Sequence, residues 1–369
     1  VDRLTQNWAV NWASRGSSPM FLIIALFIVL LVPGWSLAQS IAGYSGTFEQ
    51  GNSVIINGSS FGEKPEAVPV TWDNMETGQF NPLWQSTNAL SIGTDSRHQN
   101  SSYCGTANMA GSGGERLAYF TGDNGTLGER WFVQYWFKLD TNFDWGTTGY
   151  GEDDANLANV KIFRMWNPGR VTENFHLNQH GWDRGFPYYT ENVSDARGGS
   201  FSQRWNTWSK GEWHCLQFEF KESSMGGNDG VFRGWFDCAV GADNTEIMTR
   251  EDFPQYKRPF IIGFYNAWGD TGTDRDDFYI DDVYIDNTWA RVELGDSSDY
   301  DFCTHREIQV PSAWSSDTIT VSANVGSLGG VDELYLFVTD HDGNVSDGFL
   351  VSGVFDGPGQ PGTPIREQN

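Results

Sequence analysis

Between residues 160 and 182, VKIFRMWNPGRVTENFHLNQHGW, the chain places Lys161, Arg164, Arg170, His176 and His180 among Phe163, Trp166, Phe175 and Trp182. Imidazoles exchange protons near neutrality, cations neutralise carboxylates, and indole rings offer large flat contact surfaces. In NFHLNQHGW the strand alternation assigns Phe175 and Leu177 to one face and Asn174, His176, Asn178 and His180 to the other. That second face is a row of hydrogen-bonding and titratable groups suited to sugar hydroxyls or carboxylates. VKIFRMW is mixed: Lys161 shares a face with Phe163 and Met165, and Arg164 shares one with Ile162 and Trp166, so one of the two cations is expected on the polar face. Residues 161 to 204 hold six Lys or Arg and four Asp or Glu, a local balance of +2 (6 − 4) in a chain of net charge −25. The bland alternative is that these are solvated strand and loop positions with no ligand.

The elements that must carry this cluster read as strands. At 369 residues the chain can bury two ordinary cores, and 15% aromatics with 17 Trp and 43 Gly, without long amphipathic helical runs, predict an all-β protein rich in turns. RWFVQYWFKL alternates, with Trp131, Val133, Tyr135, Phe137 and Leu139 on one face and Arg130, Gln134, Trp136 and Lys138 on the other. WHCLQFEF repeats the pattern, opposing His214, Leu216, Phe218 and Phe220 to Trp213, Gln217 and Glu219.

A sequence pI near 4.4 argues against a nucleic-acid partner, whose phosphates require Lys and Arg. It suits a secreted, soluble chain. MFLIIALFIVLLVPGWSLAQS carries an apolar run from Phe21 to Val32, a Pro33-Gly34 break and a small-x-small Ser36-Leu37-Ala38 site. Such a run is too short to span a bilayer, so residues 1–38 are expected to hold a signal peptide cleaved near Ala38, leaving no stable membrane insertion. The initial Val suggests translation from an alternative bacterial start codon, which would place residues upstream of Met20 outside the true protein. Four cysteines allow two disulfides in an exported chain. Cys215 and Cys238 flank the turn-rich SSMGGNDG, and a hairpin centred near Gly226-Gly227 brings them close enough to bridge; a pair of free thiols is the competing expectation.

SGTFEQGNSVIINGSSFGEKP, residues 45 to 65, resembles the opening hairpin of a TIG (IPT) immunoglobulin-like domain through Gly51, Val54, Ile56, Gly58, Phe61 and Gly62. The stretch 314 to 351, with Ile319 and Val321, then Leu334, Leu336 and Val338, resembles the closing strands of the same domain. Between them, VTWDNMETGQFNPLW and DDFYIDDVYIDNTWARVEL resemble the first and last strands of concanavalin A-like jelly rolls, the fold of laminin-G-type lectin modules, glucanases and several polysaccharide lyases. The resemblance implies a concanavalin-like β jelly roll over 72–289 inserted into an immunoglobulin-like β-sandwich formed by 41–71 and 290–357, with a Pro/Gly-rich, disordered tail at 358–369. Insertion of this kind is tolerated when the insert's ends lie close together.

Three activities fit such a protein at the cell surface or in the medium, each with an extracellular polysaccharide as partner, an anionic one where the local positive balance meets it. A carbohydrate-binding module would use Gln134, Trp136, Asn178, Trp166 and Trp182 against sugar rings on the concave sheet. A polysaccharide lyase would take the proton α to a uronate carboxylate with a base among His176, His180, Tyr188 and Tyr189, and neutralise that carboxylate with Lys161, Arg164, Gln134 or Asn178. A glycoside hydrolase needs two flanking carboxylates, and the E-x-D-x-x-E strand motif of the glucanases of this fold is absent. The Arg-rich strand and Gln-x-His motifs of jelly-roll alginate lyases are likewise absent as such. A non-catalytic adhesin or spacer is the remaining class. No cofactor is required by any of these. DRDDFYIDDVYID, with six Asp in thirteen residues, leaves room for a structural Ca²⁺ on Asp281 with Asp73 or Glu76 from the paired first strand.

Overall fold

The computed structural model describes residues 38–88, 90–107, 116–121, 128–141, 160–167, 170–179, 188–191, 200–201, 209–266 and 278–351. The proposed signal peptide, His180, Trp182 and the tail lie outside them, as do the side chains of Lys161, His176, Asn178, Tyr188 and Tyr189. Among the described residues, every regular element beyond two short 3-10 turns is a strand. Among the described residues no helix is long and apolar enough to cross a membrane.

Two sheets face each other in a β jelly roll. The front sheet runs in the order β12 (Ser200–Phe201), β11 (Tyr188–Glu191), β10 (Arg170–Gln179), β9 (Val160–Asn167), β16 (Arg258–Asn266), β7 (Arg116–Thr121) and β4 (Ser86–Asn88). The back sheet runs β15 (Ala239–Ile247), β14 (Gly230–Phe236), β13 (Trp213–Lys221), β8 (Arg130–Leu139), β17 (Phe278–Asp286), β6 (Cys104–Ala107) and β5 (Ser91–Gly93), with β3 (Thr71–Asp73) also on β17. Period-two alternation sends Trp131, Val133, Tyr135, Phe137 and Leu139 of β8 and Leu216, Phe218 and Phe220 of β13 into the core between the sheets. There they meet Phe163, Met165, Phe175 and Leu177 from the front sheet.

A further sheet is assembled from both ends of the described chain: β1 (Ser40–Ser45), β2 (Ser53–Ser59), β20 (Thr318–Ser322), β19 (Arg306–Trp314), β18 (Arg291–Gly295), β21 (Leu334–Thr339) and β22 (Phe349–Val351). β19 pairs with β18 through Arg306–Gln309 and with β20 through Val310–Trp314, bending at an irregularity beside Pro311. The bend folds the sheet over its own core of Val54, Ile56, Ile319, Val321, Val292, Leu294, Leu336 and Val338. Val54 and Ile56 of β2 lie opposite Val321 and Ile319, so residues 53–57 pair directly with 318–322. Gly58 is required here, because a Cβ would sit 2.1 Å from the Ser40 carbonyl oxygen.

Hairpin chemistry overturns the cysteine expectation. β13 and β14 pair around Gly226 as anticipated, but the register places Leu216 opposite Phe236 and Cys215 beside Asp237, whose N–H donates to the Cys215 carbonyl at 2.9 Å. Cys238 falls one residue further on, in a two-residue turn where Asp237 and Cys238 both adopt positive φ, 47° and 64°. All four cysteines are buried free thiols. Burial pushes the Cys104 and Cys238 thiols up to about 12 and Cys303 up to about 11.

Candidate functional site

The central strands of the front sheet carry the cluster from which the sequence reading began. β10 pairs with β9 so that His176 lies opposite Arg164, Leu177 opposite Phe163 and Asn178 opposite Lys161. On its other edge β10 pairs with β11, setting His176 opposite Tyr189 and Leu177 opposite Tyr188. One cross-strand row therefore reads Arg164, His176, Tyr189, and the next reads Lys161, Asn178. The sequence reading grouped Tyr188 and Tyr189 together, but register separates them: Tyr188 shares a row with the buried Leu177, and Tyr189 shares one with His176.

The pairing also shows why alternation along VKIFRMW looked mixed. Ile162 has no Cα partner in the register on either β10 or β16, so β9 is bulged there. Ile162 and Phe163 both join the core, and the parity of the strand flips between them. Lys161 and Arg164 consequently occupy positions of the same parity, and the expectation that one cation would be turned away is corrected. The bulge is held from beneath: the buried Tyr135 hydroxyl donates to the Ile162 carbonyl at 2.8 Å. Burial raises the pKa of that phenol well above its ordinary value, which keeps it a donor.

Arg164 and Trp166 are both half-buried, with the guanidinium carbon 4.9 Å from the indole centroid. Trp166 lies opposite Arg258 of β16, another half-buried side chain and one that the sequence reading missed. Nothing in KRPF separates Arg258 from an ordinary solvated cation; its significance appears only through pairing.

Two residues assigned to glycan contact belong elsewhere. Gln134 and Trp136 project from the back sheet onto the face covered by β18 and β19, with Gln134 fully buried and Trp136 5% exposed. Gln217 Nε2 donates to Gln134 Oε1 at 2.9 Å and to Glu293 Oε1 at 2.7 Å. Trp136 stacks on His305 at 5.0 Å and lies under the Arg97 guanidinium at 4.4 Å. Polar parity on a strand does not distinguish a face open to ligand from one sealed by polar partners. The signal lay in ARVEL and REIQV, whose Arg291, Glu293 and Arg306 bond to Glu219 and Gln217 on that face of the back sheet.

That sealed seam is charged. Arg97 donates to Glu307 Oε1 at 2.8 Å and Oε2 at 3.0 Å and also pairs with Asp282. Arg291 bonds Glu219 at 2.7 Å and Glu293 at 2.8 Å. Burial alone would push the Glu307 carboxyl up, but Arg97 and His305 hold it well below the usual range. Burial raises Asp282 despite Arg97. Asp282 also has φ of 46°, a left-handed conformation at the irregularity between Asp281 and Tyr284.

The residues named as possible Ca²⁺ ligands each accept hydrogen bonds from the protein. Asp73 accepts from the Met75 and Asn81 N–H groups and from Trp84 Nε1 at 2.7 Å. Glu76 accepts from Ser101 Oγ and from the Ser102 and Tyr103 N–H groups. Asp281 accepts from Ser101 Oγ and the Asp282 N–H. Among the described residues no three His, Cys, Asp or Glu side chains gather as a metal-ligand set.

No protein-family model and no curated protein matches the chain. Among solved structures it is similar to an endo-β-1,4-glucuronan lyase from the fungus Trichoderma reesei, at 18% identity over 60% of this chain and 97% of that one, with a TM-score of 0.45. It is also similar to the PL-14 alginate lyase from Aplysia kurodai, at 13% identity over 59% of this chain and 99% of that one, TM-score 0.42. An alginate lyase from a Chlorella virus gives 12% identity over 59% and 99%, TM-score 0.42.

Proposed function

We propose that the front sheet of the jelly roll processes an extracellular anionic polysaccharide by β-elimination, making the protein a polysaccharide lyase. The observation that supports this is the cross-strand row Arg164, His176, Tyr189, which sets a cation, an imidazole and a phenol on three adjacent strands. Adjacent strands lie about 4.8 Å apart, so the row spans about 10 Å, the scale of one sugar and its two linkages.

The roles follow from chemistry. Arg164 neutralises the uronate carboxylate, which makes the proton on the adjacent carbon acidic enough to remove. His176 takes that proton, imidazole being a side-chain base suited to neutral pH. The electron pair forms the new C=C bond as the glycosidic C–O bond breaks, and Tyr189 supplies a proton to the departing oxygen. Lys161 and Asn178 in the next row bind the adjoining sugar. The sandwich formed by the remaining sheet is an immunoglobulin-like spacer that carries no part of this chemistry, and export places the enzyme outside the cell.

Incubation with polyuronates and neutral polysaccharides, monitored by ultraviolet absorbance of unsaturated uronate and by reducing ends, tests the proposal. Both signals should rise together on a polyuronate. Reducing ends without absorbance mean hydrolysis, and retention on a glycan with neither signal means a binding module; either result rejects the lyase.

A further inference from the structure

Three rows of the front sheet follow one another at two-residue intervals, about 6.7 Å apart along the strands. The first contains Arg258, Trp166, Asn174 and Glu191; the second Arg164, His176 and Tyr189; the third Tyr265, Lys161 and Asn178. The bulge at Ile162 is what makes the third row match the others in parity. Each row then has one cation on β9 or β16, although the chain as a whole carries a net charge of −25.

We propose that Arg258 and Trp166 form a separate uronate-binding position beside the reacting row, so that the sheet reads the charge of successive sugars rather than of one. This rests on the lyase function proposed above and assigns substrate length and charge pattern to residues outside the reacting row. Trp166 provides an apolar wall, tied to the reacting row by Arg164 at 4.9 Å. Arg258 receives the carboxylate. Glu191 occupies the register position three strands away in the same row, about 14 Å by strand spacing. The acid group of the ligand is thus directed toward β16. Arg258 and Trp166 are positioning residues, since neither reaches the bond that breaks.

The test uses the full chain and uronate oligomers of increasing length. Arg258→Ala should raise KM for long oligomers about tenfold while changing kcat by less than about twofold, because one charged hydrogen bond is lost outside the reacting row. Arg258→Lys should recover most of the loss, which a merely structural role would not allow. Oligomers too short to reach the row should show no difference between variant and wild type. Trp166→Ala should also raise KM. Unchanged KM in Arg258→Ala, with wild-type turnover of polyuronate intact, overturns the subsite alone; a fall in kcat that Arg258→Lys does not rescue also overturns it. Failure of the wild type to bind or cleave any polyuronate overturns the subsite and the lyase together.

Discussion

Tyr188 and Tyr189 are adjacent in sequence but sit in different rows, one with Leu177 and the other with His176. If the proposed chemistry is right, Tyr189→Phe should lower kcat by about 10²- to 10⁴-fold through loss of the proton donor, and Tyr188→Phe should change it by less than an order of magnitude. Steady-state rates of the two variants on one substrate decide the matter. Sequence alone could not separate them, because the parity of a short strand is set by its neighbour and not by its own composition. A second residue-scale consequence concerns pH. Asp286 is buried beside Lys64 and Tyr284, and burial, partly offset by those two groups, pushes its carboxyl up to about 6. The folded protein therefore holds a proton that the unfolded chain releases near pH 4, and stability from this site falls as pH rises between about 4 and about 6. Glu307 has the opposite sign: its lowered value gives stability above the ordinary Glu range that is lost on acidification. Melting temperatures of Asp286→Asn across this window should show a flatter decline than wild type, even though the variant is less stable throughout.

At the scale of elements, the bulge in β9 decides which residues share a face, and Tyr135 on the opposite sheet holds it. Tyr135→Phe would leave the Ile162 carbonyl without its buried donor and should destabilise by about 1–3 kcal/mol. It should also lower turnover beyond what the stability loss explains, since Lys161 and Arg164 flank the bulge. Equilibrium denaturation and rate measurements at a temperature where the variant is fully folded separate the two effects. The alternation of β8, β13 and β10 was legible from sequence because each has an unbroken apolar parity against one core. The bulge was not, since an unpaired residue looks like any other until its partner strands are known. The misassigned Gln134 and Trp136 have a related cause: they lie on a face that is polar yet dry, and exposure depends on what the sandwich brings against it.

The described residues hold two large apolar cores, joined by a smaller apolar cluster of Phe132, Tyr284, Trp289 and Ile308 and by a seam of buried ion pairs; Trp289 lies in the connection between β17 and β18. The Trp289 indole donates to the carbonyls of Trp131 at 3.1 Å and Phe220 at 3.3 Å, and lies near the guanidiniums of Arg130 and Arg233. Because the described residues belong to one compact unit, wild type should unfold in a single calorimetric transition. Trp289→Ala should cost about 3–5 kcal/mol and split that transition in two; a single transition in the variant would mean that the ion pairs and the remaining Phe132, Tyr284 and Ile308 suffice to couple the cores. The pairing of residues 53–57 with 318–322 was legible because both segments carry strand patterns with no partners of their own nearby. The pairing of β2, which ends at Ser59, with β20, which begins at Thr318, has a further consequence in time. At ribosomal speeds of about 5–20 residues per second, the first hairpin waits roughly 10 to 50 s for its missing neighbour to be made. During that interval β17 emerges and the jelly roll can close, while β2 presents a bare strand edge open to pairing with another chain. Nascent copies on one messenger are the nearest such chains, so translation pauses between residues 290 and 318 should promote aggregation more than pauses placed earlier.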